Sequence, residues 1–338
     1  FSSSKDLSST SAFLWFSGGK VRAFSGLGGA VWRTPPSVDE DFAVPVADFG
    51  RVMSLAGVYP TAELRVTGSG LVVRAGSFRA QLPTWPGSVE APREWIEREA
   101  PEGGVELAED FWRALALVRP AASVDPGRPS LCGVYWCADG VLIAADNLRG
   151  SRHAGVGVKD PTGGGILVPS HLLSSLGQGL GFTRASANSS EIWLSTEAGS
   201  VCGRLFEVKY PRATLAGVFD SSRAAAEAGD LVAVEAPAAL AAALDRVLLF
   251  ASDKPPHRVE VTVGEGVVRF EVPEQEGNGR GAGEEVEART SGNVRFSVDG
   301  RYFREALDVS TTFYCSPRGP AYFRSPDGAL EHVLTLLT

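Results

Sequence analysis

The sequence repeats one short unit, a strand followed by a helix, at three separate places. In one copy, apolar residues alternate around Val294 and Phe296, as in a strand, and then recur at helical spacing from Tyr302 to Leu307. Repeats decide an architecture before any single motif does, so we predict a chain built from similar modules. The copies are FAVPVADFGRVMSLAG (42–57), GILVPSHLLSSLGQGL (165–180) and VRFSVDGRYFREALDV (294–309).

Each copy has a suitable residue at the expected start of its helix. Pro45 and Pro169 have a preset φ and lack the N–H that a first turn leaves unpaired, and Asp299 can accept a backbone hydrogen bond as an N-cap. Strand-like runs with turn residues follow each helix. Two more helical patterns, at 107–121 and 236–253, precede strands upstream of the second and third copies. The sequence therefore predicts an α+β fold in which a module is a doubled strand-helix-strands unit.

The spacing of these units predicts three tandem domains, at 1–103, 104–222 and 223–338, with linkers at 86–95 and 220–229. A chain this long exceeds one ordinary hydrophobic core. The opening helix of the first domain is expected to be missing or degenerate, because few residues precede its first strand. Joining domains edge to edge removes open sheet edges inside the chain, and the edges that remain can meet a second copy around a two-fold axis.

Composition excludes several classes of protein. The net charge is -8, and no apolar stretch approaches the roughly 20 residues of a membrane-spanning helix, so a soluble protein is expected. The four cysteines and four histidines lack metal-site spacing, and we predict buried thiols and ordinary surface histidines. No catalytic motif is present, and the glycine-rich stretch 277–283 is predicted to be a hairpin loop rather than a phosphate loop. We predict neither an enzyme nor a bound cofactor or metal. A first residue other than Met is expected where earlier residues have been removed or lie outside the given sequence.

Three segments carry a resemblance to a known family. They are RPSLCGVYWCADGVLIAADNLRGSRHA (128–154), FEVKYPRATLAGVF (206–219), and NVRFSVDGRYFREALDV (293–309) with the tail VLTLLT. These resemble the RP-x-L-x-G-V…ATDG-x-RLA segment, the FPDY turn, and the N-x-x-Y helix with apolar tail of the bacterial DNA polymerase sliding clamp, the β subunit that acts as a processivity factor. The resemblance extends over the second and third predicted domains and more faintly over the first.

The chain departs from the family pattern in three places. Ala145, Asp146 and Asn147 stand where the family has TDG, Asp299 replaces the asparagine of N-x-x-Y, and TLL at 335–337 replaces MPM. We interpret the chain as a divergent member, compatible with a bacteriophage origin.

The resemblance implies a ring-shaped homodimer that encircles duplex DNA and tethers the replicative polymerase during DNA replication. Curved sheets would form the outside and helices would line a central hole. The implied partners are double-stranded DNA without sequence preference, peptides of the polymerase and the clamp loader, and a second copy of the chain, in the cytoplasm at the nucleoid. One alternative of another class stays open, a clamp-like β-rich scaffold or decoy that binds clamp-binding peptides without encircling DNA.

An acidic protein that holds DNA must concentrate positive charge locally, because attraction to phosphates is short-ranged and screened by salt. Arg301 and Arg304 lie three residues apart and so share one helix face. The alternative interpretation of each candidate is an ordinary solvated helix surface. The candidate lumen residues are Arg51, Arg113, Arg119, Arg246, Arg301 and Arg304.

The resemblance also implies a peptide pocket between the second and third domains. Apolar walls with one arginine and one tyrosine at the rim suit a peptide anchored by leucine or phenylalanine. The alternative for Leu131 and Leu148 is that they belong to the core. Asp299 is expected to add negative charge beside the pocket and to favour peptides with a basic or neutral residue there. By position the pocket comprises Leu131, Leu148, Arg149, Pro211, Leu215, Tyr302, Val333, Thr335 and Leu336.

Overall fold

The structure is a computed structural model. Some predicted features lie outside the residues that it describes: residues 87–95 of the predicted linker, most of the glycine-rich stretch 277–283, and the beginning of the first predicted domain. The described part of the chain contains helices and four antiparallel sheets, which confirms the predicted α+β class. The residues described are 13–25, 28–34, 38, 40–86, 100–175, 181–273 and 281–337.

The elements are numbered in chain order. The helices are α1 (Val46–Ala56), α2 (Glu109–Val118), α3 (Ser170–Ser175), α4 (Arg212–Ala228), α5 (Ala238–Leu248) and α6 (Gly300–Leu307). The strands are β1 (Phe13–Ser17), β2 (Lys20–Ser25), β3 (Gly28–Arg33), β4 (Phe42–Pro45), β5 (Glu63–Thr67), β6 (Gly70–Ala75), β7 (Phe78–Leu82), β8 (Trp85–Pro86), β9 (Val105–Glu106), β10 (Gly133–Trp136), β11 (Leu142–Ala145), β12 (Arg149–His153), β13 (Ile166–Pro169), β14 (Arg184–Ala187), β15 (Glu191–Ser195), β16 (Gly199–Arg204), β17 (Val232–Glu235), β18 (Arg258–Gly264), β19 (Val267–Val272), β20 (Ala282–Glu287), β21 (Val294–Asp299), β22 (Thr312–Cys315), β23 (Ala321–Arg324) and β24 (Leu330–Leu334).

The three predicted strand-helix copies are confirmed as β4 with α1, β13 with α3, and β21 with α6. Pro45 is the N-cap of α1 and has an extended backbone, with φ of -62°. Asp299 is the N-cap of α6, and its Oδ1 accepts a hydrogen bond from the backbone N–H of Arg301 at 3.0 Å. Asp299 therefore caps α6 through the predicted backbone hydrogen bond, whereas Pro45 lies just before α1 and makes no capping bond.

The chain forms two compact units. Unit 1 contains 1–107 and 171–207, and unit 2 contains 108–170 and 208–338. Unit 1 has a nine-stranded sheet in the order β8-β4-β1-β2-β3-β16-β15-β14-β9 and a three-stranded sheet in the order β5-β6-β7. Helix α1 packs on β4, β6 and β7, where Val44, Leu71 and Val73 are buried.

Unit 2 contains the other two sheets. The eight-stranded sheet has the order β13-β10-β11-β12-β24-β23-β22-β17, and the four-stranded sheet has the order β20-β19-β18-β21. The fully buried ring of Phe303 on α6 meets the rings of Phe270, Phe296, Phe313 and Phe323, with centroids 5.0 to 6.3 Å apart. Because these rings come from both sheets, α6 is fixed by the core of unit 2.

Both large sheets continue across the predicted domain junctions. In unit 1, β3 pairs with β16, and in unit 2, β12 pairs with β24. A Cβ on Gly28 would lie 2.3 Å from the carbonyl oxygen of Cys202, so this close strand approach requires glycine. The edge-to-edge pairing that the repeats suggested is present within each unit.

The predicted linker at 220–229 is wrong, because 220–228 form the second half of α4. Alanines there have a high helix propensity, and Phe219 and Ser222 bury one face of the helix. The helix ends at Gly229, which has a left-handed φ of +79°. The predicted boundary between 222 and 223 therefore falls inside a helix, and the three-domain division stays a prediction.

Within the described ranges, no helix is long and apolar enough to cross a membrane. No group of three or more His, Cys, Asp and Glu side chains there could hold a metal ion. Cys137, Cys202 and Cys315 are buried free thiols, as predicted, whereas Cys132 is half-buried.

Candidate peptide-binding site

The pairing of β12 with β24 brings several predicted pocket residues together. Arg149 is opposite Leu334 in the register, and Gly150 is opposite Val333. Just beyond the strand, the backbone N–H of Thr335 donates to the carbonyl oxygen of Leu148 at 2.8 Å. We call this pairing, 148–153 with 330–335, the seam.

Arg149 is the most connected of the predicted pocket residues. Its Cζ lies 3.8 Å from the centroid of the Tyr302 ring, and its Nε lies 3.3 Å from Oδ2 of Asp146. It also pairs with Glu305 and donates to the carbonyl oxygen of Pro120. Burial, and then the charge of Asp146, raises the pKa of Tyr302. Arg149 and Tyr302 are thus together as expected, but the guanidinium is bound to protein groups on several sides.

Helix α4 supplies the predicted residues Pro211 and Leu215. Four residues after Leu215, on the same face, Phe219 packs over the seam. A Cβ on Gly150 would lie 3.2 Å from Cζ of Phe219 and 3.3 Å from Cγ2 of Val333. The backbone N–H of Leu215 donates to the carbonyl oxygen of Pro211 at 3.1 Å, so both residues belong to the first turn. Pro211 and Leu215 therefore lie at the start of a helix that packs on the seam further along, at Phe219.

Leu131 and Leu336 are both half-buried. Leu131 ends a 3-10 turn, and its carbonyl oxygen accepts from the N–H of Ser123 at 2.9 Å. No hydrogen bond or ring contact in the described part of the chain joins Leu131 to the seam. Leu336 packs against the core of unit 2, and the next residue, Leu337, donates its N–H to Ser297 at 2.7 Å.

Both carboxylate oxygens of Asp299 are bonded inside the fold. Its side chain is buried, with Oδ1 bonded to the N–H of Arg301 and Oδ2 bonded to the N–H of His257, each at 3.0 Å. Neutral N–H groups do not remove the charge of a carboxylate, and after burial and the charge of Asp146, the charge of Asp299 also raises the pKa of Tyr302. The expected negative charge therefore acts on a predicted pocket residue, and the preference for peptides with a basic or neutral residue stays a prediction.

A buried ion network at the seam was not predicted. Glu331 on β24 is fully buried and accepts hydrogen bonds from Arg152 Nε at 2.7 Å and from the Tyr322 hydroxyl at 2.6 Å. Arg223 on α4 binds both carboxylate oxygens, at 2.9 and 2.8 Å. Arg152 also reaches Asp220 at 2.8 Å. Both faces of the strand LEHVL carry buried residues, so its sequence pattern does not single out Glu331.

The network determines the ionisation of Glu331. Burial alone would raise the pKa of this carboxyl, but hydrogen bonds from Arg223, Arg152 and Tyr322 outweigh burial and lower the pKa to about 2. Burial, and then the bond to Glu331, raises the pKa of Tyr322. Glu331 is therefore an anion over the whole physiological range.

We predict that acid destabilises unit 2 in two steps. Burial, and then the charge of Arg149, lowers the pKa of His332 from 6.5 to about 4. The unfolded state therefore binds a proton first, and stability falls between about pH 6.5 and 4. Glu331, with a pKa lowered from 4.5 to about 2, stabilises above about pH 4.5 and loses this contribution toward pH 2. Each difference corresponds to about 3 kcal/mol.

Urea denaturation between pH 7.5 and 2, roughly the range that these groups titrate over, measures both steps. His332→Asn, which can still bond Ser151, should flatten only the step between about pH 6.5 and 4. Wild-type stability that stays constant from pH 7 to about 4 would contradict the prediction.

Three of the six candidate lumen arginines are paired with carboxylates. The pairs are Arg113 with Asp110, Arg246 with Glu284, and Arg304 with both Asp245 and Asp308. The Arg304 Nε lies 2.9 Å from Asp245 Oδ1 on the neighbouring helix α5. These side chains are placed on helices, as predicted, but their charge is largely offset by adjacent acids.

Arg51 on α1 and Arg301 on α6 are exposed and make no ion pair within the residues that the structure describes. Arg119 is half-buried and begins the 3-10 turn that follows α2. Among the candidates, Arg51 and Arg301 therefore offer uncompensated positive charge.

By sequence, no family model and no curated protein matches this chain. By structure, the sliding clamp (DNA polymerase III subunit beta) of Bartonella birtlesii bound to griselimycin matches with a TM-score of 0.79 and 17% identity, over 99% of this chain and 94% of that one. The DNA polymerase III beta subunit of Thermotoga maritima gives 0.78 and 18%, over 100% and 94%. That of Borrelia burgdorferi in complex with a natural product gives 0.78 and 13%, over 99% and 93%.

These matches define the class of the fold, that of a DNA sliding clamp. More narrowly, the chain has the fold of the bacterial DNA polymerase III beta subunits, and the resemblance inferred from the sequence is confirmed at this level. An identity below 20% fits the predicted divergence.

Proposed function

We propose that this protein is a DNA sliding clamp that forms a two-chain ring around duplex DNA and tethers a polymerase for processive synthesis. The observation that carries the proposal is the clamp fold, which extends over essentially the whole chain. Such a protein catalyses no reaction and acts in the cytoplasm at the nucleoid. Its three tandem domains would place the helices toward DNA and the sheets outward.

One edge suited to dimerisation lies in unit 2. Within the described residues, β20 pairs only with β19 and so leaves an open edge. Its exposed residues include Glu285 and Glu287, and Glu285 also pairs with Arg269. Directly after the neighbouring helix α5, Leu249 is 80% exposed and Phe250 is also exposed. An acidic edge beside exposed apolar side chains is typical of an interaction surface.

The complementary edge lies in unit 1. Strand β7 pairs only with β6 in the described part of the chain, and Arg79 on β7 is directly opposite Arg74 on β6. Like charges opposite each other destabilise a sheet, and an acidic strand added beside β7 would relieve this repulsion. Helix α1 packs on β7, and at its end Leu55 and Val58 are exposed.

We therefore propose that β7 of one copy pairs with β20 of the other. A two-fold axis relates the copies, so the ring has two such contacts. Basic and acidic edges would meet, and the exposed apolar residues beside each edge would be buried together. This is the contact that would close the ring.

Weak, sequence-independent attraction should hold DNA inside the ring, with Arg301 contributing more than Arg304. We expect Arg301→Ala to reduce the slope of log affinity against log salt by about 1 per subunit, because one phosphate contact is lost. Arg304→Ala should change the slope little, because Asp245 and Asp308 already offset its charge. Fluorescence anisotropy with labelled duplex DNA over a range of salt concentrations measures both. Equal slopes for the two variants would contradict this assignment.

We place the partner peptide at the seam, beside Arg149, Tyr302 and the first turn of α4. The half-buried side chains of Leu148, Leu215 and Leu336 offer apolar contacts for a leucine or phenylalanine anchor. Leu131, Pro211, Val333 and Thr335 complete the proposed site.

The decisive test of the function is topological. The protein is loaded on nicked circular DNA and separated from free protein by gel filtration, with and without linearisation of the circle. Retention on the circle that is lost after linearisation supports a closed ring. Equal loss from both forms would refute encirclement, and sedimentation would show at the same time whether two chains associate.

A second function, a clamp-like scaffold that binds peptides without holding DNA, is favoured by one observation. Carboxylates offset Arg113, Arg246 and Arg304, so the helices carry little net positive charge. A protein that binds peptide at the seam, remains a monomer and is not retained on circles would fit the scaffold.

A further inference from the structure

We propose that Arg223 is a positioning residue for the peptide site. Through the buried carboxylate of Glu331 it sets where α4 lies on the seam, and so where Leu215 stands in one wall of the site. The inference rests on the proposed peptide site at the seam and adds the element that shapes it.

Helix α4 is fastened to the seam by two neighbouring residues on one face. Phe219 is fully buried and packs over Gly150 and Val333. Arg223, one turn later, binds both oxygens of Glu331. Since residues four apart share a helix face, these two contacts act along the same line of the helix. Leu215 stands one turn before Phe219 on that line.

The Glu331 carboxylate is a fixed point for this attachment. Arg152 and the Tyr322 hydroxyl hold it from the sheet at 2.7 and 2.6 Å, so it cannot follow the helix if α4 shifts. A guanidinium that binds two oxygens at once also fixes direction as well as distance. A slide of α4 by one turn, about 5.4 Å, would break both bonds and move Leu215 by the same amount.

The first turn of α4 has no comparable attachment among the bonds in the described residues. There, Arg212 reaches Asp139 at 2.9 Å, but both side chains are largely exposed. Exposed ion pairs hold a helix only weakly. Immediately before α4, the buried ring of Tyr210 stacks on Tyr135, with centroids 4.7 Å apart, and so holds the chain next to Pro211. Arg223 sets the direction in which α4 continues from that point, and with it the position of Leu215.

The absence of a side chain at Gly150 also determines how closely α4 packs on the seam. A methyl group there would meet the Phe219 ring at 3.2 Å, closer than an ordinary van der Waals contact. Gly150→Ala should therefore push α4 away from β12 and also press on Val333, whose Cγ2 would lie 3.3 Å from the methyl group, while the charged groups of the Glu331 network are unchanged. This variant tests the position of the helix without altering a charge.

The experiment compares Arg223→Lys, Gly150→Ala and a matched control, Glu227→Gln. Lysine keeps the charge but cannot make two parallel bonds to one carboxylate. Glu227, also on α4, makes a single exposed pair among the described residues, with Arg324 at 3.6 Å. The probe is a fluorescein-labelled peptide, acetyl-Gly-Leu-Ser-Leu-Phe-Gly amide, with an analogue that has alanine in place of leucine and phenylalanine as the specificity control. Binding is measured well below the Tm of each variant, together with amide hydrogen exchange of α4.

We expect Kd for the probe to rise about tenfold in Arg223→Lys and in Gly150→Ala, with faster exchange in α4, and to change less than about twofold in Glu227→Gln. A purely structural role would lower Tm without moving Kd, so an unchanged Kd with faster α4 exchange overturns the proposal. If Arg223→Lys does not fold, the Kd of Gly150→Ala and its amide exchange in α4 are judged by the same criterion. If the wild-type protein fails to bind the probe, the peptide site itself is refuted and the inference with it, whereas retention on circular DNA would be unaffected.

Discussion

Replacing Glu331 with glutamine should lower the free energy of unfolding by about 3 to 5 kcal/mol, because two arginines would lose the anion that compensates them. Arg152 is itself buried, and Arg223 is only partly exposed. Glutamine preserves the shape of the side chain but offers one acceptor oxygen and no charge. Urea denaturation followed by circular dichroism measures the loss.

The control for this variant is Glu227→Gln, which removes an exposed ion pair from the same helix. It should change stability by less than about 0.5 kcal/mol. Glu331→Gln should also reduce the acid-dependent loss of stability between about pH 4.5 and 2, because the contribution of Glu331 has gone, whereas other carboxyls with lowered pKa values, such as Glu284 and Asp327, remain. If it is as stable as Glu227→Gln, the network does not stabilise unit 2.

Leu249→Glu should separate the proposed dimer and raise its dissociation constant by at least about 100-fold. Burying a leucine side chain contributes about 1.5 to 3 kcal/mol, and an unpaired carboxylate at the same place costs more. The new charge would also stand near Glu285 and Glu287 on an already acidic edge. Sedimentation velocity over a range of protein concentrations measures the constant.

Val124→Glu provides the control, because Val124 is 95% exposed and belongs to neither of the two proposed edge strands. It should leave association unchanged. A charge exchange tests the pairing of strands directly, since Arg79→Glu or Glu287→Arg alone should weaken association and the two together should restore part of it. Association that is insensitive to Leu249→Glu and to both single exchanges would rule out the β7 and β20 contact.

Local patterns were sufficient to predict much of the fold. The strand-helix copies were found because alternation, helical spacing and capping residues such as Pro45 and Asp299 act within a few neighbouring residues. The clamp resemblance then followed from the order of three segments. The confirmed parts are those in which local preference and tertiary structure agree.

The misses involve partners that are distant in the sequence. Glu331 binds Arg152 and Arg223, which are 179 and 108 residues away in the sequence. No local sequence pattern therefore predicts the network. The same applies to Arg304 and Asp245, 59 residues apart, whose pairing offsets a candidate lumen charge. The predicted linker at 220–229 is wrong for a similar reason, because the burial of Ser222 and the bond from Arg223 to the distant Glu331 favour a helix there.

The continuous eight-stranded sheet has a mechanical consequence. A force that pulls on a closed ring would meet a full ladder of backbone bonds at β12 and β24, reinforced by buried charges and by α4. The proposed contact between β7 and β20 involves two short edges with exposed, salt-screened charges. In the proposed ring, the two copies should therefore separate under load before either chain unfolds, and the joint between them would be the place at which DNA could enter.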